Sequence, residues 1–150
     1  QFCTGPGKNV LRPGELLVEI RFPPRPARSG SHYRRLIPRN EMDIAIVGVG
    51  AAVQLDAGGK SIVSARIALG AVAATPVYAQ QASELLAGKA VSDEVIQQAA
   101  QAARDVISPI TDMRGTKEYR LHVTGVLVAR TLQAAIARAR GEAVDYRPGH

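Results

Sequence analysis

The 150-residue chain has one cysteine, Cys3, and three widely separated histidines, His32, His122 and His150. One thiol excludes an internal disulfide, and the histidines show no ligand spacing, so neither a metal nor an iron–sulfur site is expected within the chain. Aromatic residues make up 4% of the sequence, with no tryptophan, so the core must be aliphatic and alanine-rich. No apolar run reaches the roughly 20 residues that a membrane-spanning helix needs. The run over residues 67–79 ends in Val77-Tyr78-Ala79 and imitates a signal-peptidase site, but it lies mid-chain behind a strand pattern. Nothing directs export, and the chain reads as cytoplasmic. Acids are outnumbered 13 to 19 by Lys and Arg, leaving a formal charge of +6. Arginines crowd residues 21–39 and recur at Arg130, Arg138 and Arg140. This balance favours anionic partners, but without interleaved aromatics or a reading helix nucleic acid is not expected.

What the chain does contain is one segment that imitates a nucleotide fold. Residues 43–53 read Asp-Ile-Ala-Ile-Val-Gly-Val-Gly-Ala-Ala-Val. A dinucleotide fingerprint needs a third glycine, a helix starting inside the motif and an acid about 20 residues on. Val53 stands at the third-glycine position, and Asp56-Ala57-Gly58-Gly59 follow as a turn. The segment is therefore a strand, with Ala45, Val47, Val49, Ala51, Val53 and Leu55 at period two. Gly48 and Gly50 on its other face suggest that a helix or another backbone approaches closely there.

Around it, Gly5-Pro6-Gly7-Lys8 and Pro13-Gly14 read as turns, and residues 15–22 alternate as a strand with Leu16, Val18, Ile20 and Phe22 on one face. Prolines 23, 24 and 26 end that strand. Residues 32–37 form a short strand ended by Pro38, residues 43–55 the longest, and residues 61–69 its hairpin partner. The rest reads as helical. Thr75-Pro76 opens a first helix over residues 77–86, Ser92 caps a second running through Val106, and Thr116 or Gly115 precedes a third reaching about Arg140. Leu121, Thr124, Gly125, Val128, Leu132, Ala135 and Ile136 give the third helix one buried stripe. The expected class is α+β, a small antiparallel sheet of about three strands against a three-helix layer.

No catalytic constellation emerges, and no catalytic residue is assigned. Asp112 and Arg114 read as a clamp on the last helix or as a substrate or subunit contact. Glu41 and Asp43 are spaced as paired carboxylates could be, or as arginine-paired edges. Ser61 and Ser64 lack a histidine and acid to activate them. Two further readings are a basic adaptor whose residues 21–39 dock an acidic protein or nucleic acid, and a nucleotide-binding enzyme using Gly48 and Gly50.

Several motifs in order carry a resemblance: Gly5-Pro6-Gly7, Pro13-Gly14-Glu15-Leu16-Leu17, Tyr33-Arg34-Arg35-Leu36-Ile37-Pro38-Arg39-Asn40-Glu41-Met42-Asp43-Ile44-Ala45, Asp112-Met113-Arg114-Gly115 and Glu118-Tyr119-Arg120. Together they resemble the FAD-binding (medium) subunit of the aerobic carbon monoxide dehydrogenase and xanthine dehydrogenase family, over essentially the whole chain. The resemblance implies a piece of that subunit. Residues 1–31 would be the last strand of an FAD-binding domain with its linker, and residues 32–150 the carboxy-terminal domain. The amino-terminal FAD-binding region, with its two glycine-rich pyrophosphate loops, is missing. In such complexes electrons pass from molybdopterin in a large subunit through 2Fe-2S clusters in a small subunit to FAD, so the substrate is oxidised elsewhere and this fragment alone is expected to be inactive.

The same resemblance places four residues near the flavin. Leu17 falls where an apolar contact is expected, and Arg35 where relatives often carry a lysine, a planar fork in place of a compact ammonium. Asp43 and Ile44 fall at a strand start beside the ring system, where Ile44 could cover the ring without stacking on it. Leu17 and Ile44 read equally well as core residues.

Overall fold

The computed structural model describes residues 2–39 and 42–145. It begins with a small hairpin in which β1 (Cys3–Gly5) pairs antiparallel with β2 (Lys8–Asn9) around Pro6 and Gly7, and Gly7 takes a φ of 66°. The Pro13-Gly14 turn closes by a bond from the Glu15 N–H to the Arg12 carbonyl (3.0 Å). The strand expected over residues 15–22 is absent. Its alternation is intact, but Leu16, Val18, Ile20 and Phe22 are all exposed, Val18 to 90%. A strand is stable only when a neighbour takes its N–H and C=O groups, and none of the described residues does so here.

The main sheet is antiparallel throughout and runs in chain order: β3 (Ser29–Leu36), β4 (Val47–Leu55), β5 (Ile62–Gly70) and the two-residue β6 (Val77–Tyr78). β4 starts at Val47, four residues later than its pattern suggested. Pro38 cannot donate to a ladder, and the Asp43 carboxylate instead accepts the Arg39 backbone N–H (2.6 Å) and its guanidinium (2.7 Å), so Asp43 is committed to Arg39 rather than to a strand. The β4–β5 hairpin is closed by Asp56, whose carboxylate accepts the N–H groups of Lys60 (2.8 Å) and Ser61 (3.1 Å). Those bonds, Ser61's first, hold the Asp56 pKa below the usual range.

The first helix is shorter than expected. Val77 and Tyr78 extend the sheet, the Ala79 N–H donates to the Ile67 carbonyl (2.9 Å), and α1 (Gln80–Leu86) begins only after Ala79. The proline signal at Pro76 lost to the β-preference of the Val-Tyr pair. The other two helices follow their capping residues. α2 (Asp93–Asp105) is capped by Ser92 Oγ, which accepts the Val95 N–H, and α3 (Lys117–Ala139) by Thr116 Oγ1, which accepts that of Tyr119.

All three helices lie on one face of the sheet. α3 crosses β3 and β4, α1 covers β5, and α2 packs on α1 and α3. Val47, Val49, Ala51, Val53 and Leu55 of β4 meet Val128, Leu132, Ala135 and Ile136 of α3 in a single core. Ala100 of α2 and Gly125 and Ala129 of α3 are the small residues where the two helices face each other. The one buried serine, Ser83, accepts the Ile67 N–H (3.0 Å) and donates to the Ala79 carbonyl (2.7 Å), so it costs little.

The close approach expected at Gly48 and Gly50 occurs elsewhere. Those glycines belong to the outer face, where the Tyr33 side chain lies over them; a methyl at Gly48 would come 2.9 Å from the Tyr33 hydroxyl. The helix touches the sheet at Gly30, where a methyl would overlap the Ala135 carbonyl oxygen and the Ala139 amide nitrogen of α3. Gly30→Ala should therefore destabilise the chain by about 3 kcal/mol or more in urea unfolding, because backbone must move. Gly48→Ala should cost less than about 1 kcal/mol, since only a tyrosine tip must swing and strand propensity improves. Equal costs would show that α3 does not sit on Gly30.

Candidate functional site

The uncovered face of the sheet is the candidate site. Period-two alternation that turns β4's valines inward turns Gly48, Gly50 and Ala52 outward, and the register sets them beside Arg35, Tyr33 and Ser31 of β3 and beside Gly70, Ala68 and Arg66 of β5. Tyr78 of β6 pairs with Ala68. The result is a floor of glycine and alanine between two tyrosines, Tyr33 and Tyr78, exposed to 52% and 53%. A broad depression of about 800 Å³ lies on it, lined by Ser31, Tyr33, Gly50, Ala52, Arg66 and Tyr78 among others. Beyond the Tyr33 ring, which lies over Gly48 and the edge of Gly50, the floor carries only methyl groups and backbone, a surface on which a flat ring can lie. Arg66 and Arg138 line the depression, and Arg35 lies farther along the same face, opposite Gly48.

Of the four sequence-derived site residues, three lie at one end of the molecule. Arg35 is exposed on the outer face near the end of β3, opposite Gly48, and Asp43 and Ile44 lie in the loop leading to β4. Ile44 is exposed, so core packing is excluded for it. The Asp43 carboxylate is largely covered and engaged by Arg39, whose side-chain hydrogen bond is the main reason its pKa falls below the usual range. Glu41 lies outside the described residues. Leu17 sits in the unladdered segment 10–28 and is exposed; no ladder joins it to the other three. Tyr33 and Tyr78 were missed as site residues. Tyr33 carried a usable signal, an aromatic at the outward position of a strand facing two glycines.

The loop expected to be a clamp is one. Arg120, only 3% exposed, donates from Nη1 to the carbonyls of Ile46 (2.5 Å) and Ala71 (3.1 Å) and from Nη2 to Asp112 (2.7 Å). Asp112 also accepts the Arg114 N–H (2.8 Å) and guanidinium (3.2 Å). Backbone donation from Arg114, then the Arg120 side-chain bond, hold the Asp112 pKa at about 2. On β3, burial, with the charges of Arg138 and Arg34, pushes the His32 imidazole pKa down, so it is neutral in the fold. Among the described residues no group of three or more His, Cys, Asp or Glu side chains could hold a metal, and no helix is long and apolar enough to cross a membrane.

Comparison with known proteins adds the lineage. Residues 31–135 match the family model described as the CO dehydrogenase flavoprotein C-terminal domain. The chain is 38% identical over 131 residues to the carbon monoxide dehydrogenase medium chain of Afipia carboxidovorans, covering 87% of this chain and 44% of that one. It is 32% identical over 142 residues to the xanthine dehydrogenase FAD-binding subunit of Escherichia coli O157:H7, covering 94% and 48%. Among solved structures, a chain of carbon monoxide dehydrogenase from Hydrogenophaga pseudoflava superposes with a TM-score of 0.86 at 36% identity, over 91% of this chain and 47% of that one. This chain spans about half the length of the relatives it matches.

The clamp gives the fold a defined acid response. With a native pKa of about 2 against an ordinary 3.8, Asp112 contributes stability that is complete above about pH 4 and is lost as pH falls through about 2. Asp112→Asn should lower the urea midpoint at neutral pH and flatten the midpoint's decline between about pH 4 and 2. A variant whose decline there matches the parent would remove Asp112 from the clamp.

Proposed function

Because the chain belongs to the CO dehydrogenase flavoprotein C-terminal domain family, we propose that it is the carboxy-terminal part of the FAD-binding subunit of a molybdenum hydroxylase. There it completes the flavin site and docks the subunits that carry molybdopterin and 2Fe-2S clusters. The observation that carries this reading is the outer sheet face, a flat Gly-Ala floor with Tyr33 beside it and Arg35 at the same end. Its residues fit a flavin ring. Tyr33 would lie against the ring, Ile44 would cover an edge, and the Arg35 fork would hold a carbonyl oxygen or the ribityl chain. FAD, when bound, supplies the electron-accepting chemistry, and this chain supplies no reacting group.

The division at residue 31 belongs to the same proposal. Residues 1–31 are read as the tail of the FAD-binding domain, and the unpaired alternation of Leu16, Val18, Ile20 and Phe22 supports this, because adding it to that domain's sheet would bury all four side chains. Leu17 would then point to the opposite side of that strand, toward the flavin.

In a complete subunit, Arg35→Ala should weaken FAD binding by on the order of tenfold or shift the flavin potential, as loss of a charged hydrogen bond does. Tyr33→Ala should alter the flavin spectrum and, because its ring covers Gly48, lower the unfolding midpoint somewhat, whereas Arg35→Ala should leave the midpoint unchanged. Unchanged spectrum, potential and occupancy in both would sink the flavin-face reading. Residues 1–150 alone, titrated with FAD, should show no micromolar quenching of flavin fluorescence, since the two pyrophosphate loops are not among these residues.

A further inference from the structure

On the helical side of the molecule a groove of about 340 Å³ runs between α2 and α3. Arg104 of α2 and His122 and Arg130 of α3 line it, with Gln97 and Gln133 beside them and Gly125 beneath. His122 and Arg130 are eight residues apart on one helical face, two turns along the groove. No carboxylate lines it.

The arginine at its centre is held in place. The Arg104 stem crosses α3 over Gly125, where a methyl would come 3.1 Å from Cδ and 3.2 Å from Nε. Nε is buried without a hydrogen-bond partner among the described residues, and the one bond that the guanidinium makes there is from Nη2 to Gln101. The adjacent acid, Asp105, is taken by the Gln101 amide (2.9 Å). Neither Arg104 nor Arg130 has an ion-pair partner among the described residues. Two guanidinium groups and an imidazole therefore line one groove that no carboxylate lines, and the Arg104 side chain is packed on Gly125. An oxyanion between them would relieve the repulsion and accept several donors at once.

We propose that the α2–α3 groove binds an oxyanion of the phosphate class, with Arg104 and Arg130 as its charged contacts and His122 as an additional donor. The site is separate from the sheet face and independent of the flavin reading. Phosphate chemistry can come from a soluble phosphate or from a phospholipid headgroup, and the test separates the two.

The full chain, labelled with ¹⁵N, is titrated with inorganic phosphate against a chloride control of equal ionic strength. The expected result is a saturable shift of the Gly125 amide and the Arg104 Nε–H, with half-saturation raised at least tenfold by Arg130→Gln and by Arg104→Gln. Arg130 is exposed on α3, so Arg130→Gln keeps the test valid should Arg104→Gln disturb α2 packing. In a second arm the chain is mixed with anionic phospholipid vesicles. Retention that phosphate competes away and that Arg130→Gln abolishes assigns the headgroup as the source; saturable phosphate binding without retention assigns a soluble ligand. Shifts that do not saturate, that fall equally on Arg35 and Arg66, or that persist unchanged in both variants overturn the proposal.

Discussion

Arg120 is the interaction on which the rest of the structure turns. Its side chain, on the first turn of α3, binds the carbonyl just before β4, the carbonyl just after β5 and the carboxylate of the preceding loop. Both terminal nitrogens are occupied and Asp112 meets the charge, while Nε is buried with no partner among the described residues. Three chain segments that the sequence separates by 8 to 74 positions are thus fixed to one group. This sets where α3 begins relative to the sheet. The helix axis is then carried down to Gly30, where the absence of a side chain lets its backbone rest on β3. Removing the anchor at one end would leave the glycine contact at the other without a reason to form.

That docking leaves the sheet with two unlike faces. The inward face of β4 carries valine, leucine and Ala51, and the outward face Gly48, Gly50, Ala52 and Gln54, so one strand makes both the core and the candidate site. Tyr33 partly repairs the exposed backbone by lying across Gly48, which is why these glycines weaken the strand less than glycine ordinarily does.

Period and caps made most of this legible in the sequence. Strand alternation located β4 and β5, and Ser92 and Thr116 located α2 and α3, because each rests on contacts a few residues apart. Elements decided by distant partners were misplaced. Residues 15–22 alternate as a strand does but have no edge to pair with, and Val77 and Tyr78 join β5 because Ile67 offers a carbonyl that no local pattern reveals. The motif at residues 43–53 was read as a strand and forms one from Val47, yet the close approach of a helix or another backbone assigned to its glycines belongs to Gly30. Which face of a strand a helix covers depends on the whole layer, and period alone cannot give it.

The arginines show the same limit from the side of charge. Read as a sequence, the basic stretch over residues 21–39 and the cluster at 130–140 signal anionic partners. Many of these guanidinium groups are engaged by the chain itself: Arg25 and Arg138 bind the carbonyls of Ser29 and Ser31, Arg140 that of Gly59, Arg120 those of Ile46 and Ala71, and Arg39 the carboxylate of Asp43. A guanidinium suits this work because its five donors can reach backbone oxygens while its stem packs. Net charge therefore overstates the surface available to ligands. Of the other arginines, Arg66 stands at the sheet floor with Arg35 farther along the same face, and Arg104 and Arg130 line the groove between α2 and α3, on the opposite layer of the molecule.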